Sequence, residues 1–196
     1  MKIAILGWGS LVWNPRKLPL SGDWQRDGPL LPIEFSRISA DGRLTLVIDE
    51  TNGAPVRTLY ALSLRAELNQ AITDLMEREG ITNRSRIGYC DLHANTTNPD
   101  SLARHPDACE TIRAWAAKRK FDAVIWTALG PRFKPVTQEA FSPAGALRYL
   151  DSLPATTRTK ALAYIHSAPE STMTAFRRLV MQHHPDTATQ STSGRA

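Results

Sequence analysis

The chain carries only two cysteines, Cys90 and Cys109, in 196 residues, which excludes a disulfide scaffold. It has no apolar run near the roughly 20 residues that a membrane-spanning helix needs. Its opening stretch holds one lysine and a short apolar run, less than the apolar core of a secretion signal. These absences predict a cytoplasmic protein with no membrane partner. A large charge excess is also missing. The net charge is +5, and the basic residues stand in small groups such as Lys118-Arg119-Lys120 and Arg177-Arg178. Groups of that size read as solvated helix faces and not as a nucleic-acid footprint, so no nucleic-acid partner is expected. The charge is equally compatible with an anionic small molecule.

What remains is an ordinary globular composition, 42% hydrophobic and 22% charged, at a length that suits one domain with a sizeable core. The domain is expected over residues 1–185. Residues 186–196 offer no core-forming side chain beyond alanine and are expected to be a disordered tail. Cys90-x2-His93 and His105-x3-Cys109 contain the residue types of a Cys2His2 zinc site. However, the segment between them, 94–104, is only eleven residues long, and Cys90 and His93 fall on opposite faces of a strand. Buried thiols and surface histidines are the simpler reading, and no metal is expected. A zinc-stabilised interaction domain stays as a third reading.

The most telling stretch is the start. Lys2 to Leu6 has the length and apolarity of a strand, and it ends abruptly in Gly7-Trp8-Gly9-Ser10. A strand opening into such a loop can turn several backbone N–H groups toward one point, a geometry that receives anions. A dinucleotide fingerprint is excluded because Val12 stands where the third glycine belongs, and Asn14-Pro15 leaves little room for a following helix. No Gly-Lys-Ser/Thr follows, which excludes a P-loop. Ser10 lacks the flanking glycines of a nucleophile elbow. An ordinary strand–turn remains the alternative to a ligand loop.

Residues 16–31 read as a long surface loop. An alternating strand follows at 32–38, with Asp41-Gly42 as the hairpin turn and 43–49 as the return strand. Asn52-Gly53 then leads to a strand at 56–62, so three strands in a meander are expected. A helix is predicted over 65–79, stopped by Gly80. Further strands are expected at 86–93 and 122–128, with a helix from about 99 to 120 between them. Helices near 142–153, 157–166 and 169–184 complete the chain, the last ending in His183-His184. Strands first and helices later predict an α+β fold: a twisted, mostly antiparallel sheet or small β-barrel flanked by helices.

In the helix over 65–79, Leu64, Leu68, Ile72, Leu75 and Met76 form one stripe, and its continuation reaches Glu79. Glu79 also lies in the last turn, where the helix dipole disfavours negative charge. Conflicts of this kind with local rules mark candidate functional residues. The alternative is a carboxylate that pairs with Arg78, Arg84 or Arg86 at a frayed helix end.

Taken together, these features resemble the γ-glutamylcyclotransferase-like superfamily, and within it the ChaC-type glutathione-specific γ-glutamylcyclotransferases. The matching residues are Trp8-Gly9-Ser10-Leu11-Val12-Trp13 for the first loop, Ser36-Arg37 and Gly42-Arg43 with Leu44 to Val47 for the strand pair, and Arg78-Glu79 for the helix end. The resemblance covers residues 1–80 by motif and continues as element order to about 165. It implies an enzyme that needs no cofactor and releases 5-oxoproline from a γ-glutamyl amine or peptide. The substrate's own α-amine attacks its γ-carbonyl, with Glu79 as the general base. Trp8, Gly9, Ser10, Leu11 and Arg37 become the substrate-binding residues. For Trp8 and Trp13 packing is the alternative role, and for Arg37 a structural salt bridge. The chain departs from the family pattern at Trp8, where tyrosine is usual, and at Gly80-Ile81-Thr82, where the ChaC type continues Gly-Gly-Tyr-like. Both departures bear on the choice of γ-glutamyl substrate. A non-catalytic small-acid-binding module on the same scaffold is the alternative function.

Overall fold

A computed structural model describes residues 1–185; the expected tail at 186–196 lies outside the described residues. Nine strands form two sheets among the described residues. The larger has the order β2 (Leu20–Gln25), β6 (Leu59–Ser63), β1 (Ile3–Gly7), β9 (Ala123–Thr127), β7 (Ile87–Asp91), β8 (Thr96–Thr97). Its β1–β9 pair is parallel and its other pairs are antiparallel. The smaller sheet is antiparallel, in the order β4 (Leu44–Ile48), β3 (Leu30–Ile38), β5 (Ala54–Arg57). The fold is therefore mixed α+β with helices against the sheets. The barrel alternative is corrected: the described strands form two separate sheets and no closed barrel.

Alternation along β1 explains its placement. Ile3 and Ile5 face one core with Ile72 and Leu75, while Ala4, Leu6 and Trp8 face the other with Phe35 and Phe176. A strand buried on both faces reads as a continuous apolar run, and that is how residues 3–6 read. The first core lies under α2 (Leu68–Glu79). The second is closed by α4 (Pro106–Lys118), α6 (Pro143–Ser152), α7 (Ala155–His166) and α8 (Ala175–His183); a one-turn helix, α5 (Lys134–Thr137), comes between β9 and α6 in the chain.

Several sequence expectations need correction. The stretch 16–31 is not all loop: β2 lies within it as an edge strand with Gly22 at positive φ. The expected strand at 56–62 splits at Thr58, sending β5 to one sheet and β6 to the other, so the meander gives way to a hairpin plus a crossover. Thr58 is fully buried and donates to the Pro29 carbonyl at 2.7 Å, which anchors the split. The helix expected at 99–120 breaks at His105 into α3 (Pro99–Arg104) and α4, because Pro106 restarts it at the first helical position. A one-turn helix, α1 (Ser10–Trp13), does fit between the first loop and Asn14-Pro15. Arg177 is not on a solvated face. It is 3% exposed and donates to the carbonyls of His166, Ala168, Pro169 and Thr172, closing the C-terminal end of α7.

The alternation over 32–38 predicts polar residues facing solvent, yet Glu34 and Ser36 are buried along with Ile33 and Phe35. The Glu34 carboxyl accepts from the Thr174 hydroxyl at 2.6 Å and from the Phe35 N–H at 2.7 Å. Burial outweighs these bonds and pushes its pKa from 4.5 up to about 7. Between those two values the folded chain holds a proton that the unfolded chain has lost, so this group makes stability fall as pH rises through the window. Glu34→Gln keeps the accepting oxygen and removes the titration. Its stability relative to the parent is expected to rise by on the order of 2–4 kcal/mol between pH 4.5 and pH 8. Urea unfolding at both pH values measures this, and an equal difference at both contradicts it.

Candidate active site

The first loop, the end of α2, the β3–β4 hairpin and α7 enclose a cavity of about 670 Å³. Sequence reasoning named Trp8, Gly9, Ser10, Leu11, Arg37 and Glu79, and all six line it. β1 delivers the loop, since the chain leaves the sheet at Gly7 and turns into α1 at Ser10. α2 delivers Arg78 and Glu79 in its last turn. Gly80 ends that helix in the left-handed region (φ 65°), a conformation glycine adopts without strain. The observed helix starts at Leu68, three residues later than expected. Leu64 accordingly lies outside it and is exposed, so it is no part of the inward stripe.

Arg78 is the residue that joins these parts. Its side chain is only 6% exposed, and its guanidinium makes a 2.5 Å ion pair with Glu79. The same group donates to the Asn14 carbonyl at 2.7 Å and to the Ser10 hydroxyl at 3.3 Å. It also offsets the unfavourable position of Glu79 at the helix C-terminus. The stripe expected to end on Glu79 thus ends on a pair: Arg78 is buried, and Glu79 is half-buried at the cavity wall with 19% side-chain exposure.

Tyr164, from α7, closes the cavity on the other side. Its hydroxyl lies 3.4 Å from the Leu46 N–H and faces the Ser10 N–H as well. Burial pushes its pKa up to about 12, so it is a neutral phenol in the physiological range. A Cβ on Gly9 would stand 2.9 Å from this hydroxyl, so Gly9 is what permits the approach. The loop therefore is not a bare cradle of N–H groups, because the Ser10 N–H already faces a phenol oxygen. Trp13 packs edge-on against the Tyr164 ring at 5.3 Å and is 37% exposed, walling the cavity. Trp8 is 5% exposed and packs in the core beside Leu6, as its alternation with Ala4 and Leu6 requires.

The charge of the cavity is mostly positive. Asp41 pairs with Arg43 and Glu79 with Arg78, whereas Arg16, Arg37 and Lys160 have no carboxylate within ion-pair distance among the described residues. Arg37 donates instead to the Gly130 carbonyl at 3.0 Å, so the expected alternative of a salt bridge gives way to a backbone anchor. This arrangement can hold an anion within reach of the Glu79 carboxylate, with Asp41 as a second carboxylate at the cavity wall.

Sequence reasoning offered Arg78 as a partner of Glu79, which the ion pair bears out, but missed its reach to Ser10 and Asn14, and missed Tyr164 altogether. Arg78 had a signal, since it stands three residues after Leu75 on the inward face. Tyr164 had none, because nothing in α7 distinguishes it from the other residues beside Ala161 and Ile165.

Cys90 and Cys109 are free and buried. No group of three or more His, Cys, Asp or Glu among the described residues is arranged to hold a metal. No described helix is long and apolar enough to cross a membrane. Compared with protein-family models, curated proteins and solved structures, the chain matches none of them.

Proposed function

We propose that the chain is a γ-glutamyl cyclotransferase-like enzyme of the α+β fold that its motifs resemble. It releases 5-oxoproline from a γ-glutamyl amine or peptide, with Glu79 as general base. The observation that supports this reading most is that Glu79 shares one cavity with the loop at Trp8 to Leu11 and is tied to that loop through Arg78. A volume of about 670 Å³ accommodates a small peptide-like ligand.

In this reading the α-carboxylate of the γ-glutamyl group lies toward the cations without a carboxylate partner among the described residues, Arg16, Arg37 and Lys160, beside the Gly9-Ser10-Leu11 turn. Glu79 takes a proton from the α-ammonium, because only the free amine attacks. The α-nitrogen bonds to the γ-carbonyl carbon, and the bond from that carbon to the leaving nitrogen breaks. Two protons leave the α-nitrogen in all, and two are gained by the departing nitrogen, which exits as an ammonium. Glu79 carries them between the two. The reaction is unimolecular, so holding the chain folded on itself supplies much of the acceleration. Its test is an assay of the purified chain on glutathione, γ-glutamyl amino acids and γ-glutamyl amines. Release of 5-oxoproline from at least one of them is expected.

The 2.5 Å ion pair favours a second reading, since a carboxylate held by a buried guanidinium also suits a fixed recognition element. The chain would then be a small-acid-binding module without turnover. Saturable binding of a γ-glutamyl compound with no 5-oxoproline released distinguishes it.

A further inference from the structure

Beside the main cavity is a second hollow of about 450 Å³, lined by Arg37, Arg86, Arg104 and Arg132 from different parts of the fold. Arg37 comes from β3, Arg86 from the short 3-10 helix before β7, Arg104 from the end of α3, and Arg132 from the segment after β9. Among the described residues none of the four has a carboxylate within ion-pair distance. Like charges brought this close repel, and the chain retains the cluster without an internal counter-charge. Burial first, and then the facing charges of Arg132, Arg86 and Arg104, lower the pKa of Arg37.

Two of the four are held in place by the backbone. Arg37 donates to the Gly130 carbonyl at 3.0 Å, and Arg104 donates to the Ala128 carbonyl at 2.7 Å. Each keeps further N–H groups for a ligand. Arg86 and Arg132 make no side-chain hydrogen bond within the described fold; only their backbones are engaged, Arg86 with Asn83 and Ala128 and Arg132 with Ser36. The planar fork of a guanidinium matches a phosphate in paired hydrogen bonds, and its charge does not change over the physiological range. A single carboxylate neutralises one of the four charges, and a phosphate neutralises up to two.

We propose that this arginine tetrad is a binding site for the phosphate group of a small molecule. The site gathers its four arginines in one hollow of about 450 Å³ and lacks the long basic stripe of a nucleic-acid surface. Arg37 and Leu129 line both hollows, so a ligand in the tetrad lies next to the main cavity. Arg37 is shared with the α-carboxylate position proposed for the main cavity, whereas Arg86 and Arg132 line the tetrad hollow alone, so a test read on those two does not rest on the reaction assigned to the main cavity.

The test is calorimetric titration of the full chain with inorganic pyrophosphate, inorganic phosphate and citrate, at ionic strength fixed with sodium chloride. Saturable one-to-one binding of pyrophosphate is expected, tighter than that of citrate. The double variant Arg86→Gln, Arg132→Gln removes two guanidinium groups that hold no bond in the fold. It is expected to fold with an unchanged or higher midpoint in phosphate-free buffer, and to bind pyrophosphate on the order of tenfold or more weakly. Glu79→Gln is expected to bind pyrophosphate as the parent does. Absence of saturable binding, equal affinity in the double variant, or citrate binding as tight as pyrophosphate would overturn the proposal. So would a short single-stranded DNA that binds far more tightly than pyrophosphate with a salt slope above four contacts, which would make the tetrad part of a nucleic-acid surface.

Discussion

Arg78→Met is expected to lower stability by about 2–4 kcal/mol, a large effect for a residue next to a cavity. Methionine preserves much of the stem's packing and removes every donor. Three acceptors lose a partner at once: the Glu79 carboxylate, the Ser10 hydroxyl oxygen and the Asn14 carbonyl. The carboxylate suffers most, because it then sits uncompensated at the negative end of a helix. Arg78→Lys restores the charge but reaches one point only, so it is expected to recover part of the loss. Urea unfolding gives the three values. An Arg78→Met midpoint equal to the parent's would show that the guanidinium does not hold the loop to α2. In a double-mutant cycle, Glu79→Gln is expected to reduce the cost of Arg78→Met, since the charge left stranded is then absent.

The elements were legible in the sequence where one signal decided them. Residues 3–6 form a strand buried on both sides, and Asp41-Gly42 makes the β3–β4 hairpin. Ser142-Pro143 starts α6, with the Ser142 hydroxyl accepting from the Gly145 N–H at 3.1 Å. Pairing was less legible than the strands themselves. The run 56–62 looks continuous, and only the buried hydrogen bond of Thr58 to Pro29 shows why it changes sheets. The parallel β1–β9 pair joins strands more than a hundred residues apart, and no local pattern encodes that.

The candidate site divides in the same way. Glu79 was readable because a carboxylate at the inward end of an apolar stripe breaks a local rule. The loop at Trp8 to Leu11 was readable from its glycines and the strand before it. The contact between loop and helix depends on a long-range reach by Arg78, and Tyr164 arrives from a helix late in the chain. The arginine tetrad was invisible for the same reason, since its four members are spread from residue 37 to residue 132 and only the fold gathers them.

Glu79→Gln carries the largest expected functional effect. Glutamine keeps the shape of glutamate and can still accept from Arg78, so the loop and helix stay joined. What it loses is the ability to take a proton. On the proposed mechanism this leaves the α-ammonium of the substrate protonated in the site, and a positioned general base contributes roughly 10²–10⁴-fold to such a reaction. Substrate binding is expected to change far less, because the positive groups that receive the α-carboxylate are untouched.

The most direct measurement is therefore the rate of 5-oxoproline release by the parent chain and by Glu79→Gln, on the best substrate of the γ-glutamyl panel, with folding of both checked by thermal unfolding. The account predicts turnover by the parent and a fall of roughly 10²–10⁴-fold in a folded variant. No turnover of any panel compound by the parent, or release at the parent's rate by the folded variant, would contradict it.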